Sequence, residues 1–488
     1  MTSLRLIMPA AAAVAAVGAA LAAGPSVASS SAAPCPMARA AAAEAALPAR
    51  PNIVYVVADD EAADALDAAM PYLTSRPGGS WVRFDNAIAN VANCCPSRSS
   101  VLTGQFAHHH GVTDNGLGGT LDDTNLLPVW LHDAGYNTGL VGKYLNNYPW
   151  TREATYVPPG WDRWFAYNPR DSVSHTNALV INDQGSSVVY PDTATKHPTD
   201  LFSAKSTAFL KTAKEPFFLY SAVLSPHAPF TRPARYQGVY QNTPVPHPAN
   251  FNEADVSDKP AWVRALPLMT ARQAQRQDVD HRKAWEAVRA IDDMVKSIYG
   301  TLEQRGVLDR TMIVFTSDHG LSFGSHRWRE AKNCPYDECT KIPLMIRYPG
   351  ATQRTESKVV TNVDIGTTLS SAAGVTPGRP QDGRSLLGLV RGTDTTWTSE
   401  ALLQKPRPSG NGGTNDDPPS NATTAGQYPV TANWGLRTDR NLYVEYRTGE
   451  RELYDLTTDP AQLQNVYGKP GTEATSSALS ERLAQLSH

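Results

Sequence analysis

The stretch Asn93-Cys94-Cys95-Pro96-Ser97-Arg98-Ser99-Ser100-Val101-Leu102-Thr103-Gly104 places side chains capable of chemistry at close spacing. Cys94 stands two residues before Pro96, and proline favours the first turn of a helix, where its missing N–H costs nothing. Cys94 is therefore expected at, or just before, a helix N-terminus. Free backbone N–H groups and the positive dipole end attract anions there. Arg98 adds a permanent cation that can fork onto tetrahedral oxyanions. A buried or disulfide-bonded cysteine pair at a helix start would look the same over so short a run, so the rest of the chain has to decide.

Two acidic strand ends bear on that choice. Residues 52–58 form a continuous apolar run rich in β-branched side chains, which reads as a buried, parallel strand. It ends in Asp59-Asp60. Residues 311–316 read as a second such strand and lead into Asp318-His319. In open α/β sheets, sites form at the carboxyl ends of strands. Carboxylates delivered from separate strands suit a hard divalent cation, which prefers oxygen ligands. An Asp-Asp pair is more commonly a cap or turn. Two acidic strand ends beside a Cys-x-Pro-Ser-Arg run are hard to assign to turns alone.

The elements that must carry these groups follow from the pattern. The helix begun at Pro96 continues through Thr103, and Gly104 can end it. Residues 126–134 look helical and 136–143 look like a strand. Residues 199–214 look helical, and 216–223 form a buried strand ending at Ser225-Pro226-His227-Ala228-Pro229. From Ala284, apolar residues at Trp285, Val288, Ile291, Val295, Ile298 and Leu302 mark one helix face, closed by Gly306. Residues 342–348 add a strand. Alternating strands and helices predict an α/β fold, a mixed or parallel sheet covered on both faces. Residues 150–170, rich in Trp, Tyr and Pro, read as loop. Trp150, Trp161, Trp164 and Tyr167 would suit stacking on a sugar or aryl ring, or plain packing. Residues 441–456 alternate as hairpin strands, 477–486 read as a last helix, and 405–428 read as a mobile Pro/Gly/Asn/Ser loop.

Composition narrows the class. The chain has 488 residues, 41% hydrophobic and 19% charged, as for a globular protein with a large core. A formal net charge of −3 gives no basic footprint for nucleic acid. Five cysteines do not make a disulfide scaffold. Cys334 and Cys339 could form a small disulfide after export. Arg5 followed by an uncharged Ala- and Val-rich run with small residues near 26–33 is a signal-peptide pattern. Pro9, Gly18, Gly24 and Pro25 interrupt that run and argue against a membrane anchor. Ala32-Ala33-Pro34 makes a poor lipobox for Cys35, so no lipid anchor is expected. The mature chain is expected to be exported, with no stable membrane insertion.

The run Cys94-x-Pro96-Ser97-Arg98 followed by Ser100-x-Leu102-Thr103-Gly104 resembles the signature of the formylglycine-dependent sulfatases. Asp59-Asp60 and Thr316-Ser317-Asp318-His319-Gly320 resemble its metal-binding motifs, with His319 in place of the more usual Asn. Gly142-Lys143, Pro226-His227-Ala228-Pro229, Gly324-Ser325-His326 with Lys332, and Glu452-Leu453-Tyr454-Asp455-Leu456 resemble further family segments. The resemblance implies an alkaline-phosphatase-like fold: a large, mostly parallel sheet between helices, with a smaller C-terminal α+β subdomain. It implies that a formylglycine-generating enzyme oxidises Cys94 to formylglycine. It also implies one Ca2+, or Mg2+, bound by Asp59, Asp60, Asp318, His319 and the residue at 94. Lys143, His227 and Lys332 would bind the sulfate with Arg98, and His227 would protonate the leaving oxygen.

One departure is clear. Many sulfatases carry a histidine two residues after the Gly-Lys lysine, where this chain has Leu145. The run Gly142-Lys143-Tyr144-Leu145-Asn146 is similar to the glucosamine-6-sulfatase branch. His326 and Asn146 are the candidates to replace the missing base. The expected organisation is a signal peptide at 1–33, a linker at 34–50, a catalytic domain at 51–379 and a subdomain at 380–488. The expected activity is hydrolysis of a sugar or aryl sulfate monoester. The alternatives are a phosphonate or phosphate-diester hydrolase of the same superfamily, and a non-catalytic exported relic.

Overall fold

Ile53, Tyr55 and Val57 join one hydrophobic cluster, while Val54, Val56 and Ala58 join another. A strand whose alternate residues both find a core must lie mid-sheet with both faces covered, which is what an uninterrupted apolar run encodes. The computed structural model describes residues 50–172, 178–191, 196–406 and 430–487. The expected signal peptide, the linker up to residue 49, Cys35, and residues 407–428 of the expected loop lie outside them.

In chain order the strands begin with β1 (Asn52–Asp59), β2 (Trp81–Ile88), β3 (Asn137–Gly142) and β4 (Arg163–Tyr167). Next come β5 (Leu179–Asp183), β6 (Ser186–Tyr190), β7 (Phe217–Pro226) and β8 (Thr311–Ser317). They continue with β9 (Ser322–Phe323), β10 (Arg329–Ala331), β11 (Lys341–Arg347) and β12 (Arg354–Thr361). The last are β13 (Glu400–Lys405), β14 (Asn433–Thr438), β15 (Asn441–Tyr446) and β16 (Arg451–Asp455).

Ten strands form one sheet in the order β12-β2-β11-β8-β1-β7-β3-β4-β5-β6. Its centre, β8-β1-β7-β3-β4, is parallel throughout. The carboxyl ends of β1, β3, β7 and β8 therefore fall on one edge, which brings Asp59, Lys143, His227 and Asp318 together. The long helix Ala271–Gln304 and the helix Pro198–Thr212 contribute to one core cluster, and the helices Leu127–Asp133 and Asn362–Ala373 to the other. The expected mixed, mostly parallel sheet between helices is the fold observed.

A separate antiparallel sheet, β13-β14-β15-β16, and the helix Glu473–Leu486 occupy the C-terminal region. Leu442, Val444 and Tyr454 of this sheet share one apolar cluster with Trp262, Trp328 and Tyr336. The cysteines Cys334 and Cys339 are joined as a disulfide.

Some expectations need correction. The stretch 150–170 is not all loop, because β4 lies within it. Trp164 and Ala166 face one cluster, and Phe165 and Tyr167 face the other. Trp161, Trp164 and Tyr167 are thus core residues, not a platform for a ring. The helix expected from Ala284 starts at Ala271, where Thr270 and Gln273 form a reciprocal capping box. Its first turns are polar, so the apolar stripe did not reveal them. Strands β2, β5, β6 and β12 were not anticipated.

Candidate active site

The helix Cys94–Thr103 is capped by Asn93, whose side chain accepts from the Cys94 N–H at 3.1 Å, and it ends on Gly104 in the left-handed conformation. The Cys95 N–H donates to the Asn115 side chain at 2.9 Å, and Pro96 has no N–H. The sequence suggested free N–H groups for an anion at this terminus. Side chains already take the first two, so cationic side chains are left to hold an anion. Asn93 was missed, although an Asn before a helix start is a readable cap signal.

Each strand end delivers charged groups to the site, that of β1 contributing both Asp59 and Asp60. Asp60 follows β1 with φ at +64°, a left-handed backbone uncommon outside glycine, though aspartate tolerates it better than most. Such strain clusters at functional sites. At the end of β3, Gly142 has φ +108°, and a Cβ there would lie 1.7 Å from the Ala222 carbonyl oxygen. Glycine permits this close crossing, in which the Lys143 N–H donates to that carbonyl at 2.9 Å. The Lys143 Nζ then reaches both oxygens of Asp59, at 3.1 and 2.9 Å.

Arg98 is almost wholly buried. Its Nε donates to Asp318 Oδ2 at 2.9 Å and its Nη2 to Asp59 Oδ1 at 3.3 Å. The guanidinium expected to grip an oxyanion is turned instead onto two carboxylates. Lys332 supplies a partly buried cation. Its Nζ donates to both oxygens of Asp60 at 3.2 Å, to Cys94 Sγ at 3.2 Å and to His227 Nε2 at 3.4 Å. The His227 Nδ1 donates to the Ala228 carbonyl at 2.8 Å, so Nε2 is the nitrogen turned toward Lys332 and, at 3.6 Å, toward Asp60 Oδ2.

His319 Nε2 lies 3.0 Å from Asp60 Oδ1 and 3.3 Å from Cys94 Sγ. Two sets of ligand atoms, Asp60–Cys94–His319 and Asp59–Cys94–Asp318, each cluster within 4.8 Å. The donor set suits a hard divalent cation, with three carboxylates and one imidazole. The His319 Nδ1 donates to the Gly320 carbonyl at 2.9 Å, which turns Nε2 toward the carboxylates: protonated, it donates to Asp60, and on losing that proton it would offer its lone pair to a metal.

The electrostatics follow from burial against charge. Burial works to raise the Asp59 carboxyl, but Lys143 and Arg98 hold it well below the usual carboxylate range. Burial is likewise overcome at Asp60, which Lys332, His227 and His319 hold low. Burial favours a neutral His319, but Asp318 and Asp60 hold its pKa well above the ordinary histidine value. Burial pushes the Cys94 thiol up, and Lys143 and Lys332 only partly oppose it.

The structure brings Cys94, Arg98, Asp59, Asp60, Lys143, His227, Asp318, His319 and Lys332 together. It does not bring His326 with them. The His326 Nδ1 bonds Glu253 at 2.6 Å, its Nε2 accepts from Asn250 at 3.1 Å, and its ring lies 4.2 Å from that of Tyr336. Both of its nitrogens are thus engaged away from Cys94. The run His108-His109-His110 also makes no metal site, since its rings turn separately to Gln404, Asp382 and Ser100.

A buried sulfur ringed by carboxylates and ammonium groups at the carboxyl edge of a parallel sheet defines a hydrolase of oxyanion esters. A family model described as Sulfatase matches residues 51–375. Over 465 residues the chain is 32% identical to N-acetylglucosamine-6-sulfatase of Homo sapiens, covering 86% of this chain and 81% of that protein. Over 481 residues it is 30% identical to an arylsulfatase of Volvox carteri, covering 86% and 72%. It superposes with a TM-score of 0.74, at 25% identity, on a protein solved in complex with its substrate D-glucosamine-2-N,6-O-disulfate, covering 89% of this chain and 97% of that one. The chain belongs to the sulfatase family and is a sulfuric ester hydrolase.

Proposed function

We propose that this protein hydrolyses the sulfate monoester of a sulfated amino sugar, using formylglycine made from Cys94 and a bound Ca2+ or Mg2+. The observation that carries this reading is the convergence of Cys94, three carboxylates, Lys143, Lys332 and His227 on one buried point. A thiol pushed above its ordinary pKa is a poor nucleophile near neutral pH. That favours an oxygen at this position over the sulfur itself. Converted to the hydrated aldehyde, residue 94 would supply an attacking hydroxyl and a second hydroxyl whose deprotonation expels sulfate and restores the aldehyde. The Cys94 sulfur stands where those oxygens would be.

Asp59, Asp60, Asp318 and His319 would hold the cation, which when bound would supply Lewis-acid stabilisation of negative charge at this point. Arg98 holds Asp59 and Asp318 in place for that task. Lys143 and Lys332 face the sulfate oxygens and stabilise the charge that develops on them. His227 would protonate the departing alcohol oxygen through Nε2, with the proton coming from the Lys332 ammonium that donates to that nitrogen. The sugar class is supported by the two glucosamine-related similarities and by the Gly142–Asn146 run. A division of the chain at 379/380 agrees with a family match ending at 375 and a small sheet beginning at Glu400. Export through residues 1–33 and maturation by a formylglycine-generating enzyme complete the proposal.

The test is to co-express the chain with a formylglycine-generating enzyme and weigh the peptide containing Cys94. Sulfate release from N-acetylglucosamine 6-sulfate and 4-nitrophenyl sulfate is then compared with hydrolysis of a phenylphosphonate ester. An unmodified Cys94 with full activity, or preference for the phosphonate, would refute the reading.

A further inference from the structure

Lys405, the last residue of β13, carries its charge into the interior. Among the described residues its ammonium makes no ion pair and a single hydrogen bond, from Nζ to Asn333 Oδ1 at 3.2 Å. Burial draws its pKa down to about 8, with Asp114 pulling the other way. Taking an ammonium out of water for one neutral acceptor is costly. A residue that breaks a local rule at such cost points to a gain elsewhere in the structure.

The gain lies in what Asn333 joins. Asn333 directly follows Lys332, and its φ of +72° turns the chain through the left-handed region, which asparagine tolerates. The Asn333 N–H donates at 2.9 Å to the carbonyl of Ala92, two residues before Cys94. The Lys332 carbonyl accepts from the Trp328 indole at 3.1 Å, and Cys334, on the other side of Asn333, is tied to Cys339. From the same strand as Lys405, the Gln404 N–H donates to the Asn90 carbonyl at 2.7 Å. Strand β13 therefore grips the backbone that leads to Cys94 and, through Asn333, the backbone that carries Lys332. These anchors stand at the feet of two side chains whose tips, Cys94 Sγ and Lys332 Nζ, are 3.2 Å apart. A lysine stem is flexible, so its backbone has to be fixed for the ammonium to be held at one point.

We propose that Lys405 is a positioning residue for the reaction. By holding Asn333 it fixes the Lys332 ammonium beside residue 94, so that the small C-terminal sheet completes a site built on the large one. This rests on the role given to Lys332 above, as partner of the sulfate oxygens and of His227.

The test is a double-mutant cycle on the matured enzyme, which separates action through Lys332 from a general loss of structure. It compares kcat/KM on N-acetylglucosamine 6-sulfate for wild type, Lys405→Met, Lys332→Ala and the double variant. With Lys332 present, Lys405→Met should lower kcat/KM about tenfold or more, as a small misplacement of a catalytic group does. In the Lys332→Ala background the same change should cost less than about twofold, because nothing is left to position. Equal losses in both backgrounds, or no loss with Lys332 present, would overturn the proposal and leave the sulfatase reading intact. Full activity of Lys332→Ala would refute the role given to Lys332 and the proposal with it. Should Lys405→Met fail to fold, Asn333→Gly takes its place in the cycle, since glycine keeps the left-handed backbone and removes the acceptor. Should the wild type hydrolyse no ester, the catalytic reading fails separately. In that case, or where Lys332→Ala turns over too slowly to measure, calorimetric titration of the same set in a Cys94→Ala background with inorganic sulfate decides. Binding weakened by Lys405→Met only where Lys332 is present supports the proposal. Weakening in both backgrounds or in neither, or no binding at all, overturns it.

Discussion

At the ends of β1 and β8, charge is buried against charge, whereas under the small C-terminal sheet one carboxylate is buried against neutral hydroxyls. Asp59, Asp60 and Asp318 are balanced by Arg98, Lys143 and Lys332. Glu452 instead accepts from the hydroxyls of Tyr336, Tyr446 and Tyr454. Burial raises its pKa, and the three tyrosine bonds only temper that rise. The first cluster can exchange partners, because a substrate anion or a cation can take the place of one ion in the lattice. The second is complete within the protein. Reactivity is found where pairing can be traded, and rigidity where it is already satisfied.

Four experiments would break or sharpen this contrast. The largest effect is expected for Cys94→Ala, which should cut sulfate release on the order of 10⁴-fold or more, as loss of a nucleophile does. Its Tm should stay close to that of wild type. Retained turnover would remove Cys94 from the chemistry.

Next is Arg98→Met, which strands Asp59 and Asp318 in the interior. Breaking one side of a buried ion pair costs about 3–5 kcal/mol, measurable by denaturant melts. The pH dependence should change with it. Asp59 and Asp60 have folded pKa values below their unfolded ones. Their contribution is therefore present above the ordinary carboxylate value of 3.8 and lost as pH falls through the folded values. The acid limb of Tm against pH should be less steep in Arg98→Met.

A divalent cation comes third. At 100 times its Kd it should add about 2.7 kcal/mol of stability. His319 has a raised folded pKa, so its protonated form contributes stability below the ordinary value of 6.5, lost as pH rises through the folded value. Metal needs the neutral ring. The Tm gain from Ca2+ should thus be larger at alkaline than at mildly acidic pH, and a gain independent of pH would exclude His319 as a ligand.

The smallest effect is expected for Glu452→Gln, which keeps an acceptor for the tyrosines. A loss of about 1–2 kcal/mol with kcat nearly unchanged would fit a finished, structural cluster. A collapse of kcat there, with Tm preserved, would erase the distinction between the two regions.

Much of this was legible in the chain. The apolar run before Asp59-Asp60, the second run before Asp318 and the Cys94–Gly104 stretch each declared their element, because burial, capping and turn chemistry act over a few residues. Other features were hidden for equally physical reasons. The strand β4 lay among Pro158, Pro159 and Gly160, whose turn signals masked an alternation split between two cores. The first turns of the Ala271–Gln304 helix carry a polar face with little apolar period to read. His326 sits in a motif that suggests a role in catalysis, but Glu253 and Asn250, far away in sequence, take both of its nitrogens.

From its sequence alone, this protein's sheet-forming runs, its acids at strand ends and its reactive helix start were determined, since each depends on neighbours a few residues apart. Tertiary structure alone decided the partners. Arg98 meets Asp318 across 220 positions and Lys332 meets Cys94 across 238. Asn146 is left with none among the described residues. Those outcomes depend on β1 lying between β8 and β7 in the sheet. Strand order is set by packing the whole core at once, which no local spacing encodes.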